Sequence, residues 1–122
     1  SAFAVCAFVH WLMRPIVTQL IKMNPSGPGS SGHAGEFETS LMRHIAPGMV
    51  RKQHITPPSY QRFDTLVGDM IYGPQFSYFQ TIKEVSANGV VGNPSLASKE
   101  NGEKISQIIT TKLVDIIKSK MI

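Results

Sequence analysis

Hydrophobic positions along this chain follow several different periods, and each period predicts a different element. Ala2 to Trp11 is apolar almost without a break, which predicts a short strand buried on both faces, as in the middle of a parallel sheet. After Arg14-Pro15, residues Ile16, Val17, Leu20 and Ile21 recur at helical spacing, and proline suits a first helical turn. Phe37, Leu41 and Ile45 stand at i, i+4 and i+8 before Pro47-Gly48 stops the pattern, which predicts a helix within 36–48. Ser98 is a good N-cap, and Ile105, Ile108, Ile109, Leu113, Ile116 and Ile117 repeat at three and four residues. That stripe predicts a C-terminal helix over 98–122 packed against the sheet.

The chain therefore divides into a strand and helix (1–23), a Gly/Pro-rich loop (24–35), a motif helix (36–48), aromatic-rich loops (49–97) and a terminal helix (98–122). Glycine and proline at the density of Asn24 to Gly32 continue neither helix nor strand. Between 52 and 94, Tyr60, Phe63, Tyr72, Phe76, Tyr78 and Phe79 lie among turn formers. Such a segment suits a cover over a site or a subunit contact, with one edge strand within 76–85.

Composition narrows the class. With 42% hydrophobic and 16% charged residues in 122, the chain reads as globular and not disordered, which agrees with half of an α/β enzyme. The net charge of +4 is spread over separate lysines and arginines, which argues against a nucleic-acid arm. The first apolar run is too short to span a membrane and lacks the basic leader of a signal peptide. The single cysteine, Cys6, lies inside that run and reads as a small buried hydrophobe in a reducing, cytoplasmic compartment.

Candidate chemistry concentrates in Gly32-His-Ala-Gly-Glu-Phe-Glu-Thr-Ser40, one imidazole and two carboxylates at the mouth of the motif helix. Unpaired first-turn amides and the helix dipole favour ionised Glu36 and Glu38. Imidazole handles protons near neutral pH. The plainer reading gives Glu36 to helix capping and leaves Thr39 and Ser40 to local hydrogen bonds. None of His10, His33, His44 and His54 forms a His-x-His or His-x-x-x-His pair, and one cysteine excludes a thiolate zinc cage.

This wording resembles the creatininase (creatinine amidohydrolase) family, whose members carry His-Ala/Gly-Gly, then Glu-Thr-Ser and an apolar helix. Leu41-Met42, Ala46-Pro47 and Val50-Arg51 are similar to the family's continuation. Gly89-Val-Val-Gly-Asn-Pro-Ser-Leu-Ala-Ser98 with Gly102-Glu103 is similar to its ending. The resemblance covers nearly the whole chain and only the C-terminal half of a family member. It implies a three-layer α/β/α fold of which this chain is that half.

It also implies a metal-dependent amidohydrolase that cleaves a C–N bond in a cyclic amide or formamide-like substrate by metal-activated water. His33 matches the family histidine beside the substrate. Glu38 matches the carboxylate facing the metal site, as ligand or proton relay, and Trp11 stands at a strand end that lines the substrate pocket. In creatinine-hydrolysing members a second tryptophan precedes the motif histidine; here Pro, Ser and Gly stand there, which argues against creatinine as substrate. The implied divalent cation is zinc, manganese or iron.

The family's Glu-x-His-Gly-x-His and Asn-Gly-His segments are not in this sequence. Most metal ligands are therefore expected from a preceding N-terminal half or a second chain. Ser1 is not an initiator methionine, and the apolar run begins beside it, as expected of a strand that needs such neighbours. The family's own assembly implies an oligomer, a hexamer in its members. Two rival readings are a non-catalytic interaction or structural subunit that retains the fold without the metal site, and an anion-binding module using the loop at 26–32.

Overall fold

The computed structural model describes residues 14–23, 31–55 and 81–121. Its first helix, α1, is Arg14–Lys22. The second, α2, is Glu36–Ile45, followed by 3-10 turns at Pro47–Met49 and Lys52–His54. A single helical turn, α3, is Ile82–Val85, a third 3-10 turn is Pro94–Leu96, and the long helix α4 is Lys99–Met121.

The apolar spacing of α1 and α2 does its work here. Ile16 and Leu20 of α1, Phe37 of α2 and Ile105 of α4 are buried together, with Val17, Met23, Leu41, Ile108 and Ile109 packed against them. Each wholly buried aliphatic side chain contributes about 1.5–3 kcal/mol relative to an exposed one. The periodic stripes nevertheless outrun the core. Ile45 is 63% and Ile117 is 42% exposed, because α4 crosses α2 near its own N-terminus.

That crossing is set by small residues. A Cβ at Gly102 would lie 2.0 Å from the Ser40 carbonyl oxygen and 2.8 Å from the His44 Cβ, so only glycine admits this approach of the two backbones. Ser98 caps α4 as its sequence predicts, its hydroxyl accepting the Asn101 N–H at 3.0 Å. The Ser98 N–H in turn donates to Ser40 Oγ at 3.1 Å, and Arg43 Nη1 donates to the Ala97 carbonyl. Helix α2 is thus tied by its side chains to the start of α4.

Several expectations change. Among the described residues the only β-type pairing is an isolated antiparallel bridge between Ser31 and Gly92. The layered sheet is not seen there, and α4 packs on α1 and α2 instead. The strand expected at 2–11, with Cys6, His10 and Trp11, lies outside the described residues, as do 24–30 and 56–80. Of the stretch 76–85, expected to include an edge strand, residues 76–80 lie outside the described residues, and 82–85 form α3 because Thr81 and Glu84 close its first turn. The Thr81 N–H and hydroxyl both donate to Glu84 Oε2, at 2.7 and 2.8 Å. The motif helix ends at Ile45, before Pro47, since proline cannot continue the ladder.

Gly102→Ala should destabilise the protein by about 1–3 kcal/mol in urea unfolding, because overpacking outweighs the alanine's better helix propensity. Gly48→Ala, where an added Cβ meets nothing within 4 Å, serves as the neutral control. A Gly102 variant as stable as the control would show that the helices do not cross this closely.

The Thr81 backbone and hydroxyl bonds hold the Glu84 carboxyl below its ordinary pKa. A lowered folded-state pKa adds stability above the unfolded value and loses it as pH falls through the folded one. Amide protection in α3 should therefore weaken on acidification below the usual glutamate range, read by NMR hydrogen exchange. Titration of Glu84 at the ordinary value would remove the basis for this expectation.

Candidate functional site

The motif segment is held by its backbone. Gly32 N–H donates to the Val91 carbonyl at 3.1 Å, and Val91 N–H donates to the His33 carbonyl at 2.8 Å. A Cβ at Gly32 would lie 2.7 Å from Val91 Cγ1 and 2.8 Å from Val91 O, so glycine is needed for this approach. The two sequence blocks that carry the family resemblance, 32–40 and 89–98, are thereby brought together.

The 86–93 segment is itself braced. Ser86 Oγ donates to the Val90 carbonyl at 2.6 Å, and Asn88 Oδ1 accepts the Val90 N–H at 3.0 Å. Asn93 Oδ1 accepts the Ser95 N–H at 3.1 Å. Side chains that fold back on their own turn help to fix it.

Within the motif, His33 is exposed and Glu38 half-buried. Between them Ala34 adopts a positive φ of 50°, the left-handed region, which disfavours alanine by roughly 1–2 kcal/mol. Two side chains of α2 hold it there. The Ala34 N–H donates to Glu38 Oε2 at 2.7 Å, and Thr39 Oγ1 donates to the Ala34 carbonyl at 3.1 Å. Strain so over-determined is characteristic of functional loops.

The two carboxylates of the first turn sit in different surroundings. Glu36, assigned to capping, is wholly buried in the first turn of α2, where the dipole favours negative charge. Glu38 is the one that accepts an amide ahead of the helix. Thr39 bonds locally, whereas Ser40 reaches the Ser98 amide 58 residues away. Trp11 lies outside the described residues.

A half-open pocket of about 230 Å³ lies beside Glu38, lined by Ala34, Glu38, Thr39, Met42, Met49 and Val50. Sequence reasoning missed Ala34, Val91 and the methionines. The signals for Val91 and Met42 were present in the Gly-Val-Val-Gly block and the Leu41-Met42 continuation, but Met49 follows from no motif.

A structural zinc site normally takes four protein ligands and a catalytic one three. Among the described residues no group of three His, Cys, Asp or Glu side chains converges, so these segments alone do not make such a site. Glu38 fits as one ligand, because a carboxylate has about four lone-pair positions and the Ala34 amide uses one. Among the described residues no helix is long and apolar enough to cross a membrane.

Ala34→Gly should be neutral or stabilising by up to about 1 kcal/mol, relief of the left-handed strain being partly offset by a freer unfolded chain. Ala34→Val should destabilise, since a β-branched residue tolerates that region least. Denaturant midpoints for the pair check this; a valine variant equal to wild type would remove the strained turn.

Residues 2–117 match the family model Creatininase: Creatinine amidohydrolase. The mycofactocin precursor peptide peptidase of Mycobacterium tuberculosis (strain CDC 1551 / Oshkosh) is 31% identical over 78 residues, which cover 64% of this chain and 28% of the peptidase. The protein of the same description from strain H37Rv matches to the same extent. A mutant creatininase complexed with creatine has the same fold at a TM-score of 0.57 and 24% identity, over 91% of this chain and 40% of that one. A second mutant creatininase gives a TM-score of 0.59 and 26% identity, over 90% of this chain and 39% of its own. The chain thus spans well under half the length of the relatives it matches.

Proposed function

The chain belongs to the creatininase family, and on that premise we propose that it supplies the C-terminal part of a metal-dependent amidohydrolase. The reaction is hydrolysis of a C–N bond in a cyclic amide, a formamide or a peptide-like amide. The mycofactocin precursor peptide peptidase widens the substrate range from small rings to peptides. The single observation that carries the reading is the braced motif loop. It offers an exposed His33 and a Glu38 whose Oε2 is already held by the amide of Ala34, the residue after His33.

A zinc, manganese or iron ion held mainly by residues of a preceding half or a partner chain would lower the pKa of a bound water and polarise the carbonyl. This chain's residues do the rest. The Val91 amide holds the His33 carbonyl, so the backbone carrying the imidazole is fixed while the side chain reaches outward. His33 delivers a proton to the leaving nitrogen, the general-acid work for which enzymes most often use imidazole. Glu38 keeps lone pairs for a metal or for the attacking water, and its bond to Ala34 orients them. Trp11, which matches the family's pocket-lining tryptophan, would contribute to substrate binding in this proposal.

A non-catalytic subunit with the same fold makes the opposite predictions. In the complete assembly, His33→Ala should reduce turnover by about 10²- to 10⁴-fold with metal content unchanged. Glu38→Gln keeps an oxygen for the Ala34 amide, so the loop should stay in place. Metal occupancy should then fall if Glu38 is a ligand, or persist with lower activity if it relays protons. Steady-state kinetics with metal analysis read both; wild-type activity in both variants would establish the non-catalytic role.

A further inference from the structure

The two peptide groups that flank Ala34 are held at all four of their polar ends. In the peptide from His33 to Ala34, the carbonyl accepts the Val91 N–H at 2.8 Å and the N–H donates to Glu38 Oε2 at 2.7 Å. In the peptide from Ala34 to Gly35, the N–H donates to the Gly32 carbonyl at 3.3 Å and the carbonyl accepts the Thr39 hydroxyl at 3.1 Å. Two of these four bonds use side chains, and the two answer to different conditions. A bond to an ionised carboxylate is roughly twice as strong as a neutral one, so the Glu38 bond weakens whenever that carboxyl takes a proton or shares its charge with a cation. The Thr39 hydroxyl is neutral throughout. Thr39 is also a fixed point, because its own N–H donates to the Gly35 carbonyl at 3.1 Å and branching at Cβ leaves its hydroxyl few rotamers.

We propose that Thr39 is a positioning residue for His33. Its hydroxyl keeps Ala34 at a φ of 50°, and with it the backbone that carries the imidazole, through the steps in which Glu38 loosens its hold on the Ala34 amide. The inference rests on the amidohydrolase reading, in which Glu38 serves a metal or the attacking water. Alanine is disfavoured in the left-handed region, so with the carboxylate bond weakened the hydroxyl decides whether the turn survives. A change of φ to the negative region would reorient the flanking peptides and draw the His33 carbonyl away from the Val91 amide. Thr39 acts through Ala34 and not on the substrate.

The test uses the complete zinc-loaded protein and three substitutions. Thr39→Val removes the hydroxyl at nearly constant shape, Thr39→Ser keeps it, and Glu38→Ala removes the carboxylate. Crystal structures of the variants read the Ala34 φ, and turnover is read on a panel of lactams, N-formyl amides and dipeptide amides. Each single variant should keep the left-handed turn, whereas Glu38→Ala combined with Thr39→Val should lose it. Thr39→Val should nonetheless lower kcat by about three- to tenfold, the worth of one neutral hydrogen bond, with KM and metal content near the parent values. Thr39→Ser should restore kcat.

A parent-like kcat in Thr39→Val, or a left-handed Ala34 in the double variant, would overturn the positioning role and leave amidohydrolysis standing. An equal fall in Thr39→Ser would assign the effect to packing and overturn it as well. If the parent protein hydrolyses no member of the panel, the enzymatic reading falls, and loss of the turn in the double variant then leaves Thr39 a structural brace only.

Discussion

The contact between Ser40 and Gly102 is the constraint on which the rest of the structure depends. An absent side chain lets α4 lie against the α2 backbone, and the helices are then fastened on either side of that point. Ser40 accepts the Ser98 amide and Arg43 reaches the Ala97 carbonyl, so α2 cannot slide without breaking the cap of α4. The buried quartet of Ile16, Leu20, Phe37 and Ile105 forms on one side of this joint. At the N-terminal end of α2 stand Glu38 and Thr39, which shape the motif loop. A core built mainly from helix-to-helix contact thus transmits its rigidity to the loop through one helix.

The motif loop is fixed from two directions that share no side chain. Val91 and Gly32 pair along their backbones on one flank, while Glu38 and Thr39 bracket Ala34 on the other. This leaves the His33 side chain as the free element of an otherwise determined segment. Preorganisation of that sort suits a group that must meet a reacting atom without first being ordered. The chain belongs to the creatininase family and shares the fold of solved creatininases, of whose length it spans well under half.

The helices were legible because their signals are local: the spacing of Ile16 and Leu20, the stop at Pro47, the cap at Ser98. Their burial was less so, as Ile45 and Ile117 show, since periodicity identifies a face but not how far its partner extends. Ser40 looked like a residue for local hydrogen bonds because nothing near it in sequence announces a partner 58 residues away. The bond from the Ala34 amide to Glu38 was not legible either, because nothing local announces the left-handed turn at Ala34 that aims this amide at the helix. Residues 82–85 fell within the stretch expected to include an edge strand, and the Thr81–Glu84 pairing closes them into a helical turn instead.

Both fastenings of the site bridge long stretches of chain: Ser40 to Ser98 spans 58 residues and Arg43 to Ala97 spans 54. Closing loops of that length adds only about 0.6 kcal/mol for each doubling, a small thermodynamic burden but a kinetic one, since non-local contacts form after local ones. Helix α2 can wind early on its own hydrogen bonds, with its loop unset. The Gly32–Val91 pairing must wait for the chain between to be gathered in. Insertions or deletions in that intervening stretch should then alter the rate at which a competent site appears far more than the free energy of the finished fold.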